Sequence, residues 1–203
     1  MYVPPQFNIA DRAWARELIA RYPFGLLVTG DAEYPRVSHL PLVARDRDGA
    51  LWIYGHVARA NPHAASIRNE SPATLVFEGA HAYVSASWYE EPYETVPTWN
   101  YSAVHVCGRL REYDAWEAVK LLTEQIEGNA AGAWDPQRLA ASYRDNQLAA
   151  IVAFELRAEA LYAKAKLSQN RTDADRLRVI DRLASSPEQG DRETARAMAD
   201  IER

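Results

Sequence analysis

Short runs of β-branched and aromatic residues recur along most of the chain, and turn-forming residues separate them. Such runs are typical of strands that are half buried in a sheet. They lie at residues 24–30, 36–43, 50–56, 73–79, 82–88, about 100–113, 151–158 and 161–167, the last being the weakest. Because helices are expected between them, the pattern predicts a mainly β fold with α additions, built on a small antiparallel barrel of about six strands.

Capping residues and apolar spacing predict helices before, between and after these strands. Asp11 can cap a helix that runs to about Arg21, where Pro23 stops it. Further helices are predicted at about 62–69, at about 114–127 with an end at Gly128-Asn129, near Asp135-Pro136, and from Thr172 onward with a break at 185–187. We therefore expect peripheral helices and a helical C-terminal tail.

The composition is that of a folded protein rather than a disordered one. Hydrophobic residues make up 48% of the 203 residues and charged residues 25%, which are ordinary values for globular domains. The formal net charge is −5, whereas proteins that coat nucleic acid without regard to sequence are usually basic. Such general coating is therefore not expected.

Several classes of site and location are disfavoured. Cys107 is the only cysteine, so one chain can form neither an intramolecular disulfide nor a zinc site of several thiolates. The N-terminus lacks the features of a signal peptide, and no run approaches the roughly 20 apolar residues of a membrane helix. The sequence lacks the metal-ligating HExxH pattern. It also lacks the GxSxG, P-loop and GxGxxG patterns of serine hydrolases, NTPases and Rossmann domains. We expect a cytoplasmic protein with no metal and no membrane partner.

The segment 54–63 carries the strongest indication of a ligand site. A strand is expected to end at Gly55, and Asn61-Pro62 is a typical helix start, since Asn is favoured at the N-cap and Pro at the first helical position. The free amides of that first turn, beside the guanidinium of Arg59, would suit a phosphate group. The alternative is that Arg59 is a solvated loop residue and Asn61 only a cap.

Three further groups could contact a planar ligand, and each has a purely structural alternative. They are a polar strand segment with Ser38, His39 and Leu40; an aromatic loop with Trp88, Tyr89, Trp99 and Tyr101; and a cationic segment with Lys164, Lys166, Ser168, Gln169, Asn170 and Arg171. The strand histidine could be a hydrogen-bonded core residue. The aromatic residues could fill a core or a subunit interface, and the cationic segment could be a solvated loop.

Six distinctive segments are distributed over nearly the whole chain: MYVPPQF at 1–7, SHLPL at 38–42, GHVARANP at 55–62, AYVSASWY at 82–89, VPTWNYSAVHVCG at 96–108 and KLSQNR at 166–171. In these segments and in their order, the sequence resembles the PaiB family of FMN-binding negative transcriptional regulators. The fold of that family is the FMN-binding split barrel shared with pyridoxamine phosphate oxidase. One departure is Ala86, where proline is expected before Ser-Trp-Tyr.

The resemblance implies FMN as cofactor and a homodimer that holds it at the subunit interface. Arg59 and Asn61 fall where split-barrel flavoproteins hold the FMN phosphate. One chain would supply His39 and Leu40, and the other could supply residues of the aromatic and cationic segments. The complete set of expected cofactor contacts is Ser38, His39, Leu40, His56, Arg59, Asn61, Trp88, Trp99, Asn100, Gln169 and Arg171. No catalytic residue is identified.

The resemblance also divides the chain and suggests its role. A split-barrel domain is expected at 1–168, and a helical tail at 169–203 would pack on the barrel or on the partner. A negative transcriptional regulator is favoured, with a flavin-dependent oxidoreductase of a small molecule or a flavin-binding module without turnover as alternatives. Residues 164–203 hold nine Lys and Arg against eight Asp and Glu, with no basic face, so DNA is a partner by resemblance only.

Overall fold

The computed structural model describes residues 1–30, 33–128 and 132–201. Its helices are α1 Arg12–Arg21, α2 His63–Arg68, α3 Ala115–Glu127, α4 Ala141–Ala149, α5 Asp173–Ala184 and α6 Gln189–Asp200. Its strands are β1 Phe24–Thr29, β2 Arg36–Pro41, β3 Val43–Arg47, β4 Ala50–Ala58, β5 Pro72–Val84, β6 Thr98–Tyr113, β7 Ile151–Arg157 and β8 Ala160–Lys166. Of the predicted helix end, Asn129 lies outside the described residues, as do the last two residues of the predicted tail.

The strands form one sheet in the order β2-β1-β5-β6-β7-β4-β3, with β8 paired to β6. The pairs β1–β2, β1–β5, β3–β4, β4–β7 and β6–β7 are all antiparallel. The sheet is not closed, because β2 and β3 end the order. Among the residues that the structure describes it has eight strands, so the predicted number of about six is not confirmed.

The predicted strand 36–43 is two strands because the backbone changes partner near Leu42. Residues 36–41 pair with β1, whereas β3 pairs with β4. Pro41 has no N–H to offer a continuous ladder, and the Leu42 N–H donates instead to the carbonyl of Pro23 at 2.8 Å. The Leu42 side chain is fully buried.

The predicted strands 73–79 and 82–88 belong instead to one strand, because β5 runs unbroken from Pro72 to Val84. The alternation of buried and exposed residues shifts by one at the buried pair Gly79-Ala80, but the strand continues through it without a turn. A turn of 3-10 helix follows at Ala86–Trp88, where the Ser85 hydroxyl accepts from the Ser87 N–H. The end of the predicted second strand is therefore wrong.

The chain divides into two compact units. The terminal unit contains Met1–Ala15, Glu78–Val104 and Tyr162–Arg203. The central unit contains Arg16–Phe77 and His105–Leu161. The division at residue 168 that the resemblance implies stays a prediction.

The core of the terminal unit lies between strands and the last two helices. Its buried members are Ala82, Val84, Tyr89, Ala165, Leu167, Val179, Leu183, Ala195 and Met198. Helix α5 begins after Thr172, whose hydroxyl accepts from the Asp175 N–H. The predicted break at 185–187 is confirmed, because α5 ends at Ala184 and α6 begins at Gln189.

The central unit packs α3 against its sheet. Asp114 caps this helix by accepting from the Glu117 N–H at 2.8 Å, as expected for an aspartate at an N-cap. Leu122 of α3 then joins a buried cluster whose other members are Val43, Trp52 and Tyr54. None of the helices in the described part of the chain has the length and apolar character that spanning a bilayer requires.

The contact of β6 with β7 leaves no space for a side chain at Gly108. A Cβ there would lie 2.2 Å from the Arg157 carbonyl oxygen and 2.9 Å from Leu156 Cδ2. We expect Gly108→Ala to lower the free energy of unfolding by about 1–3 kcal/mol, the usual cost of overpacking. Urea or thermal denaturation measures this loss.

Gly190, on α6, supplies the matched control. A Cβ at Gly190 meets only the His81 carbonyl oxygen at 3.7 Å, which is ordinary contact. Gly190→Ala should leave stability unchanged or raise it, since Ala is the better helix former. Equal stability of the two variants would contradict the close approach at Gly108.

Candidate functional site

Three side chains of the central unit form a polar cluster beside β2. Ser38 lies on β2, Asn61 follows β4, and His63 is the first residue of α2. The Asn61 Nδ2 donates to Ser38 Oγ at 3.1 Å, and Ser38 Oγ and His63 Nδ1 share a hydrogen bond of 2.9 Å. The Asn61 Oδ1 in turn accepts from the His63 N–H at 2.9 Å. We call Ser38, Asn61 and His63 the Ser–Asn–His cluster.

The predicted helix start lies one residue too early. Pro62 occupies the N-cap position and α2 begins at His63. Asn61 still accepts a hydrogen bond from the backbone, but through its bond to His63 it also fixes the residue that contacts Ser38. The alternative that Asn61 is only a cap is therefore incomplete, and its contact with the FMN phosphate stays a prediction.

Two histidines of the central unit, the buried His63 and the half-buried His56, each have a buried ring nitrogen without a hydrogen-bond partner among the described residues, namely His63 Nε2 and His56 Nδ1. Burial lowers the pKa of both rings, and the positive charge of Arg36 further lowers the pKa of His63. Both imidazoles are therefore neutral at pH 7. A buried polar nitrogen that lacks a partner is costly, so these two atoms point to a contact with a ligand or with water.

The guanidinium of Arg59 has partners within the central unit. Its Nε donates to the Ala149 carbonyl at 2.5 Å and its Nη2 to the Ile151 carbonyl at 2.8 Å. These bonds hold the segment after β4 to the start of β7. The alternative of a merely solvated Arg59 is therefore incomplete, and a contact of Arg59 with phosphate stays a prediction.

Arg36 is a second arginine near the cluster, which we did not single out from the sequence. Its Nη1 donates to the Pro62 carbonyl at 3.1 Å. Arg36 and Ser38 are two residues apart on β2 and therefore lie on the same face of the strand. The spacing of two residues from Ser38 is the sequence feature that predicts Arg36 to lie near the cluster.

His39 and Leu40 lie on opposite faces of β2. His39 is exposed and stacks on Phe24 with ring centroids 6.1 Å apart, whereas Leu40 is buried. The alternative that His39 is a core histidine is wrong. The core histidine is His63, which is fully buried.

The aromatic residues of the terminal unit present an exposed surface. Trp99 is 55% exposed, and the rings of His81 and Tyr83 lie 6.1 and 6.0 Å from it. Trp88 is half-buried in the 3-10 turn and packs against the core of this unit. Trp99 is thus the predicted aromatic residue that a ligand or another chain can reach most easily.

Asn100 and Gln169 brace the turn after β8. Asn100 is buried, and its Nδ2 donates to Ser168 Oγ at 2.9 Å. The Gln169 Oε1 accepts from the Leu167 N–H, and its Nε2 donates to the Ala165 carbonyl, both at 2.7 Å. The side-chain amides of Asn100 and Gln169 therefore already have partners within the chain. Direct contact of either residue with a cofactor stays a prediction.

The predicted contacts therefore fall into two groups, one in each unit. The central unit holds Ser38, His39, Leu40, His56, Arg59 and Asn61, and the terminal unit holds Trp88, Trp99, Asn100, Gln169 and Arg171. The structure joins Ser38 to Asn61 by a hydrogen bond. Within the described ranges, no group of three or more His, Cys, Asp or Glu residues could hold a metal ion.

The donor set of the central unit fits a flavin mononucleotide. A phosphate monoester requires hydroxyl, amide and cationic donors, and Ser38, Asn61, Arg36 and Arg59 carry groups of these kinds. A planar ring requires an apolar support and a few fixed polar atoms, and the strands that carry Leu40 and the partly buried His56 offer both.

Comparisons with known proteins agree with this chemistry. The family model described as "Putative FMN-binding domain" matches residues 1–160. The protein "Protease synthase and sporulation protein PAI 2" of Bacillus subtilis is 32% identical over 205 residues, which cover 98% of this chain and 97% of that protein.

Solved structures support the fold. The FAD and heme binding protein of Mycobacterium smegmatis matches with a TM-score of 0.63 and 15% identity, over 83% of this chain and 78% of that one. The flavocytochrome Anf3 of Azotobacter vinelandii matches with a TM-score of 0.59 and 15% identity, over 82% and 70%. At this identity the likeness shows the fold alone, which is a split barrel. By its family match and its nearly full-length similarity to the Bacillus protein, the chain belongs to the FMN-binding split-barrel family to which PaiB belongs, and its cofactor is FMN.

Proposed function

We propose that this FMN-binding chain is a negative regulator of transcription of the PaiB type and that it acts as a homodimer. The observation that carries the proposal is the similarity to the Bacillus subtilis protein over nearly the whole of both chains. The name of that relative connects it with protease synthesis and sporulation. A relation that covers both chains to this extent favours a shared role more than a shared domain would.

In this proposal the Ser–Asn–His cluster and Arg59 bind the FMN phosphate. The hydroxyl of Ser38 and the amide of Asn61 are hydrogen-bonded to each other, so a phosphate would meet donors whose positions are already fixed. His39 and Leu40 on β2 and His56 on β4 would line the flavin. The flavin, when bound, supplies redox chemistry; the protein's residues orient it and limit the access of water.

The second chain of the dimer would supply the other group of predicted contacts. Trp88, Trp99 and Arg171 would approach the flavin from the partner, with Asn100 and Gln169 holding the turn that carries Arg171. The exposure of Trp99 supports this arrangement, because a large exposed aromatic residue is typical of an interface.

A second candidate function is a flavin-dependent oxidoreductase that acts on a small molecule. The arginines of the tail favour it, because several are occupied within the chain. Arg176 Nη2 donates to the Met198 carbonyl, Arg192 Nη1 donates to the Ser186 carbonyl at 2.8 Å, and Arg178 pairs with Glu90 and Asp175. Side chains held in this way are less available to DNA phosphates.

The first prediction from this proposal concerns the phosphate. A charge-assisted contact contributes about 1.5–3 kcal/mol, so Arg59→Gln should weaken FMN binding roughly 10- to 150-fold while riboflavin affinity stays unchanged. Fluorescence titration of the apoprotein with each flavin measures both affinities. Arg68→Gln, a change in an exposed arginine at the end of α2, is the control and should leave both unchanged. Equal losses for the two flavins would mean that Arg59 acts only through the carbonyls of Ala149 and Ile151.

The second prediction concerns the oligomer. If a partner completes the site, sedimentation of the FMN-loaded protein at micromolar concentration should give about twice the chain mass of 22.9 kDa. A Trp99→Ala variant should dissociate more readily and lose FMN in parallel. A monomer that keeps its FMN would contradict the shared site.

The third prediction separates the two functions. We expect weak or no binding to a random DNA duplex at ~150 mM salt, where affinity that depends on phosphate contacts has fallen steeply. Fluorescence anisotropy of a labelled duplex across a salt series measures it. Submicromolar binding at that salt would refute the charge argument and favour direct repression.

Reduction of the bound flavin by a nicotinamide donor, with reoxidation by an acceptor at a rate that DNA does not change, would favour the oxidoreductase.

A further inference from the structure

The hydrogen bonds of the Ser–Asn–His cluster fix which of its atoms donate. A backbone N–H can only donate, so the atom of Asn61 that lies 2.9 Å from the His63 backbone nitrogen is the amide oxygen. The other end of the Asn61 amide is therefore its NH2 group, which lies 3.1 Å from Ser38 Oγ. An NH2 group of this kind acts only as a donor. Asn61 thus donates to Ser38 and occupies one lone pair of its hydroxyl.

The hydrogen bond between Ser38 and His63 has two possible directions. A hydroxyl has one hydrogen and two lone pairs, and a neutral imidazole has one N–H and one nitrogen that can accept. With the hydrogen on Nδ1, His63 donates to Ser38 Oγ across the 2.9 Å contact and occupies the second lone pair of the hydroxyl. With the hydrogen on Nε2, the Ser38 hydroxyl donates to Nδ1 instead, and it has no hydrogen left for a ligand.

The surroundings of Nε2 favour the first direction. His63 is fully buried, and its Nε2 has no hydrogen-bond partner among the described residues. A hydrogen on Nε2 would therefore be a buried donor without an acceptor. Buried N–H groups of this kind are rarer in folded proteins than carbonyls with an unused lone pair. The hydrogen is accordingly expected on Nδ1, where Ser38 Oγ accepts it.

In this arrangement the cluster offers hydrogens rather than lone pairs. Ser38 Oγ accepts from Asn61 and from His63, so its own hydrogen can be donated to a ligand. The NH2 group of Asn61 has a second hydrogen as well. Ser38 and Asn61 are half-buried, whereas His63 lies beneath them without exposed surface. Such a site suits ligand oxygens that carry no proton, because a ligand hydroxyl would find no acceptor there.

We propose that His63 is a positioning residue that makes the cluster selective for the dianion of a phosphate monoester. Its Nδ1–H occupies the second lone pair of Ser38 Oγ and thereby directs the Ser38 hydroxyl hydrogen to an unprotonated phosphate oxygen. The inference rests on the proposed binding of the FMN phosphate at this cluster, and it names the ionic form that is bound. The imidazole itself touches no ligand and acts through Ser38.

The position of the imidazole hydrogen can be measured directly. Two-bond proton–nitrogen correlation spectra of FMN-saturated protein with isotope-labelled histidine distinguish a ring nitrogen that carries a hydrogen from one that does not. The signals of His63 are those that disappear in a His63→Leu variant. We expect the hydrogen on Nδ1. A hydrogen on Nε2 would overturn the proposal.

Affinities for FMN and riboflavin test what this hydrogen bond does for the phosphate. His63→Leu removes the donor, so it should weaken FMN binding roughly 3- to 10-fold, the usual effect of one neutral hydrogen bond, and leave riboflavin affinity unchanged. His63→Asn, whose amide can donate to Ser38 in place of Nδ1, should restore most of the loss. His105→Leu makes the same change at a half-buried histidine of β6 outside the cluster, and this control should alter neither affinity.

The pH dependence of FMN affinity separates selectivity for the dianion from a purely structural role. Lowering the pH from about 7.5 to about 5 protonates most of the phosphate, because the second pKa of a phosphate monoester is about 6. The affinity of the unaltered protein for FMN should fall relative to that for riboflavin. In His63→Leu the fall should be smaller, because the vacant lone pair of Ser38 can accept from the protonated phosphate.

The other charged groups near the cluster do not produce this difference. Arg36 on β2 and Arg59 after β4 keep their charge at both pH values, so their weaker attraction for a monoanion is common to the unaltered protein and to His63→Leu. Burial and the charge of Arg36 lower the pKa of His63. An imidazolium would still donate from Nδ1, so acidification does not reverse the bond to Ser38.

Two further results would overturn the proposal. They are equal losses of FMN and riboflavin affinity in His63→Leu, and an unchanged pH response in that variant. Ser38→Ala separates these failures from a failure of the proposed FMN site. If Ser38→Ala weakens FMN binding and His63→Leu does not, only the role of His63 is wrong. If Ser38→Ala changes neither flavin affinity, the phosphate binds elsewhere, and the proposed site and this inference are both wrong.

Discussion

The change of hydrogen-bond partner at Leu42 is the constraint on which the central unit depends. Up to Pro41 the backbone pairs with β1, and from Val43 it pairs with β4. Leu42 itself bonds to the Pro23 carbonyl and is fully buried. A Cβ at Gly55 would lie 2.7 Å from a methyl of Leu42, so the close packing of this residue requires a glycine on β4. Because β2 is held in this way, Ser38 can share hydrogen bonds with residues that follow β4.

Each unit holds a buried polar network next to residues that a ligand could reach. In the central unit, Ser38 and Asn61 fix the buried ring of His63. In the terminal unit, Asn100 and Ser168 bond to each other in the core. Buried polar groups specify one arrangement, because any other leaves a donor or acceptor without a partner. The two networks therefore position the surrounding donors before any ligand binds.

Charge is distributed unevenly within a chain whose net charge is −5. Several arginines of the tail bond to carbonyls or carboxylates of the chain. The cations at the end of β8, in contrast, contact carbonyls, a hydroxyl and aromatic rings. The tail arginines that bond to carbonyls or carboxylates are less available to DNA phosphates than unengaged side chains would be.

The sequence alone determined the β class, the helix starts near Asp114 and Thr172, the break in the tail and the FMN family, because strand propensity, helix-start signals and sequence motifs can be read directly from the residues. Only the tertiary structure decided the number of strands, since a change of pairing partner at Leu42 leaves no local signal beyond a proline. It also decided that His63 rather than His39 is buried, and that Asn100 and Gln169 brace a turn. These outcomes depend on contacts between residues far apart in the chain. Residue type alone determines neither the burial of a side chain nor its hydrogen-bond partner.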